Sequence, residues 1–244
     1  RGERVGARVA NVAPGDHVAF CLVPACGDCR ACRSGHPNLC VPAGEHGHAG
    51  TLMDGTSRLR RLDGTVLQHG LMTACFAEHT VLDAAGAVPI PKELPLQQAA
   101  LLGCGVVTGF GAVRNVAGVR IGDTVCVVGC GGVGLQVVAA ARIAGASRII
   151  AVDRDPEKRQ RALACGATDF LVSGPETAAE VRRLTDGGVD YALAVVGRAE
   201  TMRLAWDAIR AGGTAVVVGL APRGVEVAIP GIEFLSDKSI KGCF

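Results

Sequence analysis

Aromatic side chains are scarce in this 244-residue chain: one Trp, one Tyr and six Phe make up 3% of it. Large rings therefore cannot fill the interior. With 49% of residues hydrophobic, Val, Ala, Leu and Ile must build the core. Net charge is also nearly absent, Lys plus Arg (25) exceeding Asp plus Glu (23) by two. That balance, with the charges scattered, excludes the one-sided basic surface that holds nucleic acid or an anionic membrane. No apolar run reaches about eighteen residues without a charge or a glycine, which argues against a transmembrane helix. No signal peptide, internal repeat or low-complexity segment stands out.

Glycine (34) and cysteine (11) are what the chain has in plenty. Glycine among aliphatic residues suits α/β layers with buried parallel strands. An odd number of cysteines, some of them (Cys126, Cys130) in or beside apolar text, does not suit a secreted disulfide scaffold. A reducing, cytoplasmic setting is expected. The length allows two ordinary domains.

The text changes style along the chain. Val5–Val12 and His17–Val23 read as strands around the turn Pro14-Gly15-Asp16. Residues 26–70 lack sustained periodicity and read as a long loop region, which needs a staple or a function. Cys75–Leu82 and Ala87–Ile90 read as strands again, and a helix is expected to begin at Leu96–Leu102. From Asp123 onward strands and helices alternate. Strands are expected at Asp123–Val128, Ser147–Val152, Phe170–Val172, Tyr191–Val196, Thr214–Gly219 and Ser239–Cys243. Helices are expected at Leu135–Ile143, Glu157–Cys165, Ala178–Leu184 and Met202–Ile209. Such alternation implies a doubly wound parallel sheet.

The first of those strands runs into Gly129-Cys130-Gly131-Gly132-Val133-Gly134, a G-x-G-x-x-G opening a helix. Gly129 permits the tight turn and Gly131 a close backbone approach to a pyrophosphate. Gly134 lets helix and strand pack closely, and the helix N-terminus favours phosphate charge. The second strand ends in Asp153, where an acid would bind a ribose 2′-hydroxyl and repel a 2′-phosphate, favouring NAD over NADP. Lys158 lies one helical turn beyond and is placed to reach the same ribose, while Arg154 reads as a solvated side chain.

Cys26, Cys29, Cys32 and Cys40 are separated by two, two and seven residues. Thiolates so spaced converge on one tetrahedral zinc, and four of them leave no open position, so the site would be structural. Iron–sulfur ligation is the rival reading, weakened by the place of the fourth cysteine and the lack of a following Pro. His46 and His48 form an H-x-H in the loop region, read as solvated or hydrogen-bonded.

These motifs, in this order, resemble the zinc-dependent medium-chain dehydrogenase/reductase family in its alcohol dehydrogenase branch. Pro14-Gly15-Asp16-His17-Val18, the Cys26–Cys40 lobe, Leu101-Leu102-Gly103-Cys104-Gly105, the glycine loop and Asp153 all match family text. The resemblance implies a partial GroES-like domain at 1–105, with its zinc lobe at 26–40, and a Rossmann NAD-binding domain at 106–244. It makes Cys104 a ligand of a catalytic zinc. It places Thr108 and Val133 by the nicotinamide, and Lys158 and Arg198 near the adenosine. Val5–Val9 resembles the piece just after the family's Gly-His-Glu ligand motif, so two catalytic-zinc ligands are expected outside the chain, which reads as an internal fragment.

The function so implied is hydride transfer between an alcohol or aldehyde and NAD(H), with zinc and NAD as cofactors. Two alternatives stand beside it: an NAD- and zinc-binding fragment without turnover, and a thiol-dependent formaldehyde dehydrogenase. The implied partners are a small-molecule alcohol or aldehyde and further copies of the chain in a homodimer or homotetramer, with neither nucleic acid nor membrane.

Overall fold

A computed structural model describes residues Arg1–Phe244. It divides into two compact units, Arg1–Cys104 and Gly105–Phe244.

In the first unit, β1 (His17–Phe20) pairs antiparallel with β2 (Ala87–Ile90), His17 lying opposite Ile90. Val5–Val12 and Cys75–Leu82 are not strands, contrary to the sequence pattern. A strand exists by pairing, and in this unit only β1 and β2 form a ladder. Residues 26–70 are in turn more ordered than expected. They hold a short helix α1 (Arg30–Arg33), a longer α2 (Val41–Ala49) and an isolated bridge between Arg60 and Val66. The two glycines and two histidines of α2 hide its periodicity. Its boundaries carry the signals instead, with Pro42 in the first turn and Gly50 in the left-handed conformation at its end.

Helix α3 (Leu96–Ala99) leads through a π-helical turn (Leu102–Val106) into α4 (Val107–Gly111), and a second π turn ends at left-handed Gly118. Helical backbone thus runs on through Gly103, Gly105, Gly109 and Gly111. By length and composition alone, Leu96–Ala117 could cross a membrane. Its Ala112 and Val113 are nevertheless fully buried in the core of the second unit.

That core surrounds a six-stranded parallel sheet. Its strands are β3 (Thr124–Val128), β4 (Arg148–Asp153), β5 (Asp169–Val172), β6 (Val189–Ala194), β7 (Ile209–Val217) and β8 (Ser239–Gly242). Their spatial order is β5-β4-β3-β6-β7-β8, so the winding reverses between β3 and β6. The helices are α5 (Gly132–Ile143), α6 (Arg159–Cys165), α7 (Thr177–Leu184) and α8 (Ala199–Ala208). Successive strand side chains point to opposite faces. Val125 and Val127 accordingly join Val137 and Ala141 of α5 in one core cluster, while Cys126 and Val128 join Trp206 of α8 in the other.

Trp206 is the largest wholly buried side chain, and its indole N–H donates to Glu233 Oε2 at 2.5 Å. Trp206→Ala is expected to destabilise this unit by about 3–5 kcal/mol, read as a lower urea midpoint at unchanged m-value.

Candidate dinucleotide and zinc sites

The winding reverses between β3 and β6, and open α/β sheets bind ligands in the crevice outside the C-terminal strand ends at such a point. Gly129 leaves β3 there at φ 104°, and a Cβ on it would meet Val196 Cγ2 at 2.5 Å. The turn is therefore closed by Val196, two residues past the end of β6. Gly134 is equally confined, while at Gly131 and Gly132 an added Cβ would meet nothing within 4 Å. The loop thus has one packed side and one open side, and the first-turn amides of α5 begin on the open side. Those amides have no partner within their own helix. Val133 is half-buried beside them.

Asp153 ends β4 and is 7% exposed. Its Oδ2 accepts from Cys130 N at 2.7 Å and Lys158 Nζ at 3.0 Å, and its Oδ1 accepts from Asp155 N at 3.0 Å. Burial alone would push this carboxyl up. The Cys130 and Asp155 N–H groups and the Lys158 ammonium outweigh it and hold the group below the ordinary carboxylate value. A lowered value in the fold makes the Asp153 contribution to stability fully present above about pH 4 and lost as pH falls through the lowered value. Asp153→Asn is expected to lower stability at pH 7 by about 1–3 kcal/mol, a difference that shrinks on acidification. A gap independent of pH between 3 and 7 would show that ionisation is not its source.

Sequence spacing alone did not show this pairing: Lys158 bonds the carboxylate itself. Val196 was also missed: it was read as the last residue of a strand at Tyr191–Val196, whereas β6 ends at Ala194. Arg198 follows Val196 and Gly197, and its guanidinium is exposed, 3.8 Å from Glu200. Arg154 is exposed. Thr108 is half-buried on α4.

The packed turn, the open glycine pair and the charged acid at the tip of β4 fit a dinucleotide. Cys130 sits beneath them, burial pushing its thiol up to about 12, so it acts as core rather than as a nucleophile.

In the first unit the Sγ atoms of Cys26, Cys29, Cys32 and Cys40 all lie within 4.8 Å of one another. The Cys29–Cys32 separation is 3.5 Å and Cys26–Cys32 is 4.0 Å. Zinc–sulfur bonds of about 2.3 Å at tetrahedral angles put sulfurs about 3.8 Å apart, between those two values. Backbone N–H groups reach the sulfurs, Cys29 N to Cys26 Sγ and Cys26 N to Cys40 Sγ, each at 3.3 Å. N–H groups of Cys32 and Val41 lower the Cys29 thiol to about 6, and those of Cys29 and Asp28 lower Cys26. Burial, then the neighbouring sulfurs, pushes Cys32 up to about 12. Amide-solvated thiolates crowded this closely suit a divalent cation, and four sulfurs close its coordination.

Cys104 lies in the π-helical turn and is exposed. A catalytic zinc takes three protein ligands, and no group of three or more potential ligands includes Cys104. The 244 residues alone therefore do not fit a catalytic zinc. His46 Nδ1 lies 3.1 Å from Thr51 Oγ1 and serves the local fold.

Two family models match the chain: the alcohol dehydrogenase GroES-like domain over residues 3–92 and the zinc-binding dehydrogenase model over residues 132–244. The chain belongs to the zinc-dependent medium-chain dehydrogenase/reductase family. A Saccharomyces cerevisiae relative, S-(hydroxymethyl)glutathione dehydrogenase, is 38% identical over 98% of this chain and 64% of its own length. The crystal structure of an alcohol dehydrogenase zinc-binding domain protein from Burkholderia ambifaria matches with a TM-score of 0.93 at 37% identity, covering 98% of this chain and 65% of that one. Benzyl alcohol dehydrogenase from Acinetobacter calcoaceticus matches with a TM-score of 0.90 at 31% identity, with the same coverage of each chain. The chain thus spans about two thirds of the length of these dehydrogenases, slightly less in each case.

Proposed function

We propose that the whole protein transfers hydride between an alcohol or aldehyde and NAD(H). The observation that carries this reading is the strand–glycine turn–helix with an ionised, lysine-paired Asp153 at the end of the next strand. Bound NAD supplies the hydride acceptor. The chain binds and orients it: the α5 amides at Gly132, Val133 and Gly134 hold the pyrophosphate against the open face of Gly131. Asp153, steadied by Lys158, accepts from the adenosine ribose and disfavours a 2′-phosphate. Arg198 flanks the adenosine, and Thr108 and Val133 flank the nicotinamide.

Cys26, Cys29, Cys32 and Cys40 hold a structural zinc, and Cys104 gives one sulfur to a catalytic zinc whose other ligands are not among these residues. The functional division follows 1–105 and 106–244, in a cytoplasmic homodimer or homotetramer pairing near β8. The names of the relatives point to a small alcohol as substrate, with thiol-bound formaldehyde the second reading on the strength of the yeast enzyme.

The test is NADH formation by the whole protein with a panel of small alcohols, benzyl alcohol included, alongside metal analysis. Alcohol-dependent NADH and two zinc per subunit are expected, with one zinc and no turnover after Cys104→Ser. Unchanged zinc content or turnover in that variant would overturn the assignment of Cys104.

A further inference from the structure

We infer that Gly109, which touches no cofactor, is a positioning residue for the nicotinamide end of the site. The inference rests on the proposed place of Thr108 beside the nicotinamide and deepens it. Gly109 is buried where α4 crosses α5. A Cβ there would lie 2.6 Å from Gln136 Cβ, 2.8 Å from the Gln136 carbonyl carbon and 2.9 Å from Val137 N. Two of those three atoms are backbone, so no rotamer change relieves the contact. The two helices meet main chain to main chain at this point.

Gln136 stands one helical turn after Val133, on the helix whose first turn begins the cofactor cradle. Thr108 immediately precedes Gly109. The absent side chain therefore sets the offset of Thr108 from the Gly132–Gly134 turn. Below the crossing, Ala112 and Val113 are fully buried against the same helix, so α4 cannot recentre by sliding. A methyl at 109 has to lift α4, and Thr108 with it, while the β3–β4 end of the crevice stays in place.

The prediction separates the two ends of the cofactor. Gly109→Ala should weaken NAD binding about tenfold or more in calorimetric titration. ADP-ribose, which lacks only the nicotinamide, should bind as it does to the unmodified protein. Gly111→Ala is the control for helix propensity, since its Cβ would meet only Asn115 Nδ2 at 3.9 Å, and both ligands should bind it normally. Equal weakening of NAD and ADP-ribose by Gly109→Ala, or no weakening, overturns the inference. Hydrogen exchange on the unmodified protein gives a reading independent of whether the variant folds. NAD, but not ADP-ribose, should slow exchange over Val107–Gly111, and equal slowing by both overturns the inference. If the unmodified protein binds ADP-ribose but not NAD, the placement of Thr108 fails. If it binds neither, the dinucleotide reading itself fails.

Discussion

Gly134→Ala is expected to abolish measurable NAD binding and to destabilise the second unit by about 3 kcal/mol or more. The added Cβ would lie 1.8 Å from the carbonyl oxygen of Gly129 and 2.9 Å from its carbon. Both contacts are main chain, and both belong to the turn proposed to hold the cofactor. Gly129 cannot retreat, because its own far side is already against Val196. The start of α5 must therefore move off the end of β3, carrying the first-turn amides with it. Urea unfolding and calorimetric titration read the two effects separately. A variant with stability within about 0.5 kcal/mol of the original and normal NAD affinity would mean that the loop is not packed as described.

Removing zinc from the first unit should have the second large effect, and it should be local. Little apolar burial holds the lobe. Its core cluster has three buried members, Cys40, Ala43 and Met72, and α1 has neither a buried residue nor a side-chain cap. Without the metal, no bond ties together the four sulfurs, which lie within 4.8 Å of one another. Chelation, or Cys29→Ser, is expected to raise amide exchange across Cys26–Cys40 by about a hundredfold or more and to leave β3–β7 unchanged. Exchange that is indifferent to chelation would show that the lobe folds without metal. Loss of protection in β3–β7 would show that the two units do not fold independently.

The second unit was the more legible from sequence because its signals are local and agree with one another. A β-branched strand, a glycine turn and a helix stand together between Thr124 and Ile143, and the next strand ends in Asp153. The clustered cysteines were legible for a similar reason, since metal spacing is a short-range pattern. Expectation failed in the first unit, where strand formation depends on partners. Val5–Val12 and Cys75–Leu82 have strand-like composition and no ladder to join.

Helix α2 was missed for the opposite reason. Propensity argued against it, and the Pro42 start and the left-handed Gly50 cap overrode it. In the site, the residue types could be read but not their pairings. Neither the double use of Asp153 Oδ2, by Cys130 N and Lys158, nor the closure of the turn by Val196 has any signature in spacing.

Family membership comes from matches over residues 3–92 and 132–244, and the proposed place of the cofactor from the crevice expected where the winding reverses between β3 and β6. The central claim is that this crevice holds NAD, selected by the charge on Asp153. Calorimetric titration of the protein with NAD and with NADP tests it most directly, with Asp153→Ala as the comparison. One NAD site per chain is predicted, NADP binding at least about tenfold more weakly, with the gap closing in Asp153→Ala. Equal affinity for the two dinucleotides in the unmodified protein, or a gap that survives Asp153→Ala, would contradict it.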